Sequence, residues 1–153
     1  MNDRAIFNYA VSVIALNALY KASNDSGRAA PHETLIGLEL NQQLVCGARL
    51  IAYASHQSDQ PQWLLRNLCT IPAFRGQRLA SLLLQNAQQH VQQQMHGQPL
   101  ITLPLPHLND FYQRNGFTPI ATSQLCPALQ QVLRQSRRRH KGIQAMVSQP
   151  QLG

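Results

Sequence analysis

Carboxylates are scarce in this chain: its 153 residues hold six Asp and Glu against thirteen Lys and Arg. None stands between Pro61 and Pro106. Cysteine is sparse as well, with three residues (Cys46, Cys69 and Cys126) at wide spacing. An odd, scattered set suggests no disulfide framework, and no pair has the separation of metal ligands. The six histidines show no His-x-x-x-His spacing, so no metal is expected. Reduced thiols in a cytoplasmic protein are the plain reading. No stretch approaches the roughly 18 apolar residues of a membrane helix, so no membrane association is expected. The nearest run, Ala5 to Tyr20, follows Arg4 and contains Ala15-Leu16-Asn17-Ala18. Asn8 and Asn17 interrupt it and Asp3 sits in the supposed basic leader, which argues against a secretion signal. No internal repeat is visible.

What is present fits one globular domain over 1–153, long enough to bury a core without staples. The apolar fraction, 44%, is ordinary; the charged fraction is only 12%, and Gln, Asn and Ser cover much of the surface instead. The formal charge of +7 invites a polyanion: nucleic acid, an acidic membrane surface or a phosphate-rich small molecule. Charge alone does not choose among these.

Periodicity orders the chain. A helix is expected over Ala10 to Ala22, then a polar loop from Ser23 to Pro31. Strand-like runs Thr34–Leu40 and Gln43–Tyr53 meet at Asn41-Gln42, a short hairpin turn without the favoured Gly. Trp63–Ile71 reads as a strand stopped by Pro72. The Gln-rich segment after it is an amphipathic helix: Ala80, Leu83, Leu84, Ala87, Val91 and Met95 form an apolar stripe, and Gly97 and Pro99 end it. Leu100–Leu105 is a short strand, His107 to Asn115 two helical turns stopped by Gly116, and Phe117–Thr122 a strand. Pro127 to Lys141 is a basic helix and Ile143–Ser148 a last strand. Early hairpins followed by alternating helices imply an α/β (mixed α+β) fold, a mixed, mostly antiparallel sheet flanked by helices.

The most informative stretch is the strand Leu65-Arg66-Asn67-Leu68-Cys69-Thr70-Ile71, followed by Pro72-Ala73-Phe74 and Arg75-Gly76-Gln77-Arg78-Leu79-Ala80. A strand, a tight turn and a helix N-terminus present several backbone N–H groups and the positive end of the helix dipole to one point, a natural pyrophosphate site. Gly76 and Ala80 allow close approach, and Arg75 and Arg78 add charge. The segment resembles the acyl-CoA-binding motif of the GCN5-related N-acetyltransferases (GNAT), Arg/Gln-x-x-Gly-x-Gly/Ala. Arg75 takes the first position and Ala80 the last, while Arg78 stands where the motif has its first glycine.

A second match follows. Leu108-Asn109-Asp110-Phe111-Tyr112-Gln113-Arg114-Asn115-Gly116-Phe117 is similar to the family segment Ala-x-x-Phe-Tyr-x-x-x-Gly-Phe. The resemblance covers roughly residues 34 to 122. It implies one GNAT domain with a splay between the fourth and fifth family strands and acetyl-CoA as cosubstrate. Backbone groups at Leu68, Cys69 and Thr70 would pair with the pantetheine, and the turn from Arg75 through Gly76, Gln77, Arg78 and Leu79 to Ala80 with its phosphates. Tyr112 is implied as the acid that protonates the departing thiolate, a role suited to a phenol. Leu105 stands where many members carry an Asn, for which Asn109 is the substitute. The implied reaction is acetyl transfer to a primary amine by direct attack in a ternary complex, the acceptor a small amine or a peptide. A homodimer also accords with the family, and nucleic acid is not an expected partner.

The acceptor side is less legible. Many relatives carry a base Glu on the strand before the phosphate turn, where this chain has Arg66 and Asn67. Arg66 is a candidate for an acceptor carboxylate, or for a cross-strand pair on a wet face. His56, His107, Glu33 and Glu39 are base candidates, each read first as a surface side chain. Cys69 reads as a core thiol and His90 as a surface residue. The run Arg137-Arg138-Arg139-His140-Lys141 reads as a solvated helix end, favourable near the negative pole of the dipole. The alternative function is a degenerate CoA sensor or a basic nucleic-acid-binding protein.

Overall fold

The computed structural model describes residues 4–56 and 58–148. They form a mixed α/β fold with a seven-stranded, mostly antiparallel sheet and four α-helices. Two compact units share the chain, Met1–Ile51 with Leu65–Ala87, and Ala52–Leu64 with Gln88–Gly153.

In the first unit the strands lie in the order β1 (Ile6–Asn8), β2 (Thr34–Leu40), β3 (Gln43–Tyr53) and β4 (Gln62–Thr70, from Leu65 onward). Strand β1 was not expected, since its three residues are too few to show alternation; it pairs antiparallel with β2, Phe7 opposite Leu38. The β2–β3 hairpin turns at Asn41 (φ 50°) and Gln42 (φ 66°), both left-handed. That mirror-image turn matches the strand twist, and here it forms without glycine. Helix α1 (Val13–Ala22) starts at Ser12, whose Oγ accepts the Ala15 N–H at 3.0 Å. Its Leu16, Leu19 and Tyr20 pack with Val11, Ala29, Leu35 and Cys69 into an apolar cluster. Gly47 leaves room for that packing: a Cβ there would lie 2.5 Å from Leu16 Cδ1.

Helix α2 (Leu79–Gln94) buries Leu83, Leu84, Ala87 and Val91 of the expected stripe and Leu79 beside them, whereas Ala80 is half-buried and Met95, also half-buried, lies just past the helix end. The second unit orders its strands β5 (Leu100–Thr102), β7 (Met146–Ser148) and β6 (Phe117–Pro119), with β7 antiparallel to both neighbours. Each is shorter than its apolar run suggests: the ladder with β7 takes in Ile101 and Thr102 of β5 and Phe117 to Pro119 of β6. Ser148, buried, accepts the Leu100 N–H at 2.8 Å. Helix α4 (Pro127–Arg139) places Leu129 and Leu133 in a core with Leu64, Ile101, Leu125, Cys126, Ile143 and Ala145. Gln62 ties its entry: Oε1 accepts the Cys126 N–H at 2.7 Å and Nε2 donates to the Gln124 carbonyl at 3.0 Å. Among the described residues no helix is long and apolar enough to cross a membrane.

Candidate active site

The segment after β4 folds as a 3-10 turn, Pro72–Phe74, then Arg75 in extended backbone (φ −68°, ψ 154°). The Arg75 Nε donates to the Thr70 carbonyl at 3.1 Å, which anchors the turn to the end of the strand. Gly76 adopts φ +82°, and a Cβ there would meet no atom within 4 Å, so its requirement is conformational and the space before it is open. Arg78 adopts φ +60° and its carbonyl accepts the Leu82 N–H at 3.1 Å, the first bond of α2. The position where the motif has glycine is thus a left-handed one, and here an arginine occupies it at a conformational cost. Arg75, Gly76, Gln77 and Arg78 are exposed, Leu79 is buried and Ala80 half-buried. Leu79 and Ala80 open α2, so their N–H groups have no intrahelical acceptor and point out of the helix end. An open, positively charged turn with outward N–H groups fits a pyrophosphate.

On β4, Leu68 and Thr70 are half-buried and Cys69 is buried. The Thr70 hydroxyl donates to Cys46 Sγ at 3.3 Å. Burial pushes the Cys69 thiol up, an effect that outweighs the opposing Ser23 hydroxyl and Arg75 charge. That suits a packed thiol, not a nucleophile. Asn67 breaks the strand conformation with φ +54°. Its Nδ2 donates to Asp25 Oδ1 at 3.1 Å, and its Oδ1 accepts from Arg49 Nη1 at 2.9 Å. Arg49 also grips Glu33 through Nε–Oε1 at 2.8 Å and Nη2–Oε2 at 2.6 Å. Asp25, from the loop after α1, therefore supplies a carboxylate in space that β4 lacks in sequence. Only its Asx-like setting, two residues before Gly27, hinted at this; the contact itself depends on tertiary folding.

The second sequence motif lies in the other unit. His107 to Asn115 is not one helix: a 3-10 turn, Pro106–Leu108, precedes α3 (Asn109–Arg114), since Pro106 sets the first turn. Tyr112 is 5% exposed. Its ring meets Phe111 and Phe117 edge-on, with centroids 5.1 and 5.5 Å away. The aromatic packing orients the ring at little rotamer entropy. Asn109, one turn earlier, keeps a buried Oδ1 with no hydrogen-bond partner among the described residues. Beyond α3, Gly116 stands at φ +90° and the Asn115 carbonyl accepts from Gln88 Nε2 at 3.0 Å.

The remaining candidates separate by their contacts. Glu33 is held in the Arg49 fork and also accepts the Ala30 N–H at 3.0 Å. Glu39 accepts from Asn8 Nδ2 at 3.3 Å. His56 and His107 are exposed, and Arg66 is half-buried. His90, read as a surface residue, is half-buried, and that burial lowers its pKa. Arg137, Arg138, Arg139, His140 and Lys141 are exposed at the end of α4, with the Arg137 Nε donating to the Ile143 carbonyl at 2.8 Å.

Comparison with solved structures gives the same fold. N-acetylglutamate synthase from Neisseria gonorrhoeae, complexed with coenzyme A and N-acetyl-glutamate, superposes with a TM-score of 0.75 at 14% identity over 99% of this chain. The chain spans 36% of that enzyme. Escherichia coli ElaA gives a TM-score of 0.64 at 17% identity, covering 95% of this chain and 100% of its own. Bacillus subtilis N-acetyltransferase YlbP, in complex with coenzyme A, gives 0.63 at 13% identity, covering 96% and 97%. No curated protein sequence matches the chain. The family model described as acetyltransferase (GNAT) domain matches residues 31–119, from before β2 to the end of β6. The chain belongs to the GNAT acetyltransferase-domain family.

Proposed function

We propose that this protein transfers an acetyl group from acetyl-CoA to a primary amine by direct attack in a ternary complex. The observation that carries this reading is the phosphate turn. Its open Gly76, its left-handed residue at position 78 and its outward N–H groups at Leu79 and Ala80 form an anion cradle between a strand and a helix. Arg75 and Arg78 supply the charge that the pyrophosphate requires. The main chain of Leu68, Cys69 and Thr70, one strand earlier, holds the pantetheine. Acetyl-CoA, when bound, supplies an acyl group activated as a thioester. Tyr112 supplies the proton that the sulfur takes as its bond to carbon breaks, and Asn109, with its unsatisfied buried oxygen, completes a polar contact beside it. The acceptor is a small amine or a peptide; the gonococcal relative is seen with N-acetyl-glutamate, an acylated amine, which supports that class. Arg66 is the residue we assign to an acceptor carboxylate. Three buried, free cysteines accord with a reducing compartment such as the cytoplasm.

Two measurements test the reading. Calorimetric titration is expected to show CoA binding, and thiol release from acetyl-CoA across an amine panel is expected to show turnover. Replacement of Tyr112 by Phe keeps the ring packing and removes the proton, so kcat should fall by about 100-fold. Absence of CoA binding would sink the enzyme reading. CoA binding without turnover on any amine would instead favour a CoA sensor, the reading suggested by arginine in the glycine position.

A further inference from the structure

Asn67 sits inside β4 at φ +54°, a conformation strands avoid, and the side chains of two other elements converge on it. Arg49 of β3 donates to its Oδ1 at 2.9 Å, while its Nδ2 donates to Asp25 Oδ1 at 3.1 Å. Both ends of the amide are engaged, which fixes its orientation. The partners are fixed in turn. Glu33 holds Arg49 with two bonds and is itself tied to the Ala30 N–H, and Asp25 Oδ1 also accepts the Gly27 N–H at 2.7 Å. Gly27 lies so close that a Cβ there would stand 2.7 Å from Asn67 Cγ.

Stability alone does not explain this arrangement. A left-handed residue in a strand is costly, and a largely buried ion pair is often no better than apolar residues of the same volume. The neighbourhood carries a further cost, since the Tyr20 hydroxyl is buried with no hydrogen-bond partner. Such a conformation persists where its surroundings over-determine it, and one left-handed residue re-aims the peptide groups that follow. Those groups belong to Leu68, Cys69 and Thr70.

We infer that Asp25, Arg49 and Glu33 act through Asn67 as a positioning clamp, which fixes the β4 backbone beyond Asn67 in the orientation that receives the pantetheine arm. The inference rests on the CoA reading above and goes beyond it, because it assigns a role to four side chains that touch no reacting atom. It separates the site into an adenine-nucleotide part, held by the phosphate turn, and an arm-binding part that depends on the clamp.

The test is calorimetric titration of the full chain with CoA and with 3′-phospho-ADP, which keeps the phosphates and lacks the arm. Asn67→Ala and Asp25→Ala are expected to raise the Kd for CoA about tenfold, the scale of losing a side-chain hydrogen bond at a buried site. The Kd for 3′-phospho-ADP should stay unchanged, which a misfolded variant could not achieve. Asp25→Asn should bind CoA like the unaltered protein, because its side-chain oxygen still accepts from Asn67. Unchanged CoA affinity in both alanine variants, or equal loss for both ligands, would overturn the clamp and leave the CoA reading standing. Failure of the unaltered protein to bind CoA would overturn both.

Discussion

At the scale of single residues, Glu33 shows how the competing electrostatic effects resolve. Its side chain is 3% exposed and that of Arg49 15%. Burial alone would raise the Glu33 pKa, but the Arg49 hydrogen bonds, the Ala30 N–H and the guanidinium charge together hold it below the usual carboxylate range. A depressed folded-state pKa stabilises the protein above the unfolded value, near 4.3, and that stabilisation is lost as pH falls further. Glu33→Gln should therefore cost about 3 kcal/mol at pH 7, because it leaves Arg49 without its counter-charge. The same variant should lose less stability than the unaltered protein between pH 5 and pH 3, as measured by urea unfolding at both. Tyr112→Phe is the complementary case, read in turnover. Neither residue's environment was readable from its neighbours in sequence. Glu33 looked like one of several base candidates, and its partner lies sixteen residues away on β3.

At the scale of elements, the start of α2 sets conformation against function. Arg78 stands at φ +60°, where an L-residue with a Cβ pays roughly 1 kcal/mol or more relative to glycine. Arg78→Gly should accordingly raise the midpoint of thermal unfolding. If the arginine contacts phosphate, the same change should weaken CoA binding severalfold and flatten its salt dependence, since one charged contact is removed. A variant that is both more stable and tighter would refute that role. The strand–turn–helix pattern here was legible because strand apolarity, Pro72, Gly76 and the helical stripe are local signals. The helix and strand boundaries at α3, β5, β6 and β7 were less so. Pro106 shifted the helix start, and how much of each apolar run became strand depended on pairing with neighbouring strands distant in sequence.

At the scale of the molecule, the three thiols report on folding as a whole. Cys46, Cys69 and Cys126 are all buried, Cys69 in the apolar cluster with α1 and Cys126 in the core with α4. Burial, opposed only in part by the Thr70 hydroxyl, pushes the Cys46 thiol up to about 11. Cys46 therefore offers neither exposure nor thiolate near neutral pH, and the other two thiols are likewise out of reach of solvent. The native protein should release little colour from a disulfide reagent at pH 7.5, and all three cysteines should react once urea unfolds it. Rapid reaction of one thiol in the native state would show local opening at that cluster. The excess of positive charge, +7 in all, is a property of the same scale: it favours encounter with an anionic cosubstrate without specifying one.

Fold class, both family motifs, most of the apolar stripe of α2 and the lack of a carboxylate on β4 were legible along the chain, because each is written in residues close together. Tertiary structure decided the rest. It made position 78 left-handed and showed why a glycine belongs there. It added β1, a strand too short to announce itself, and brought Asp25, Arg49 and Glu33 around Asn67 from three separate segments. Local patterns depend on residue spacing along one element. The convergence of side chains on one point depends on loop path and strand register, which only the packed chain fixes.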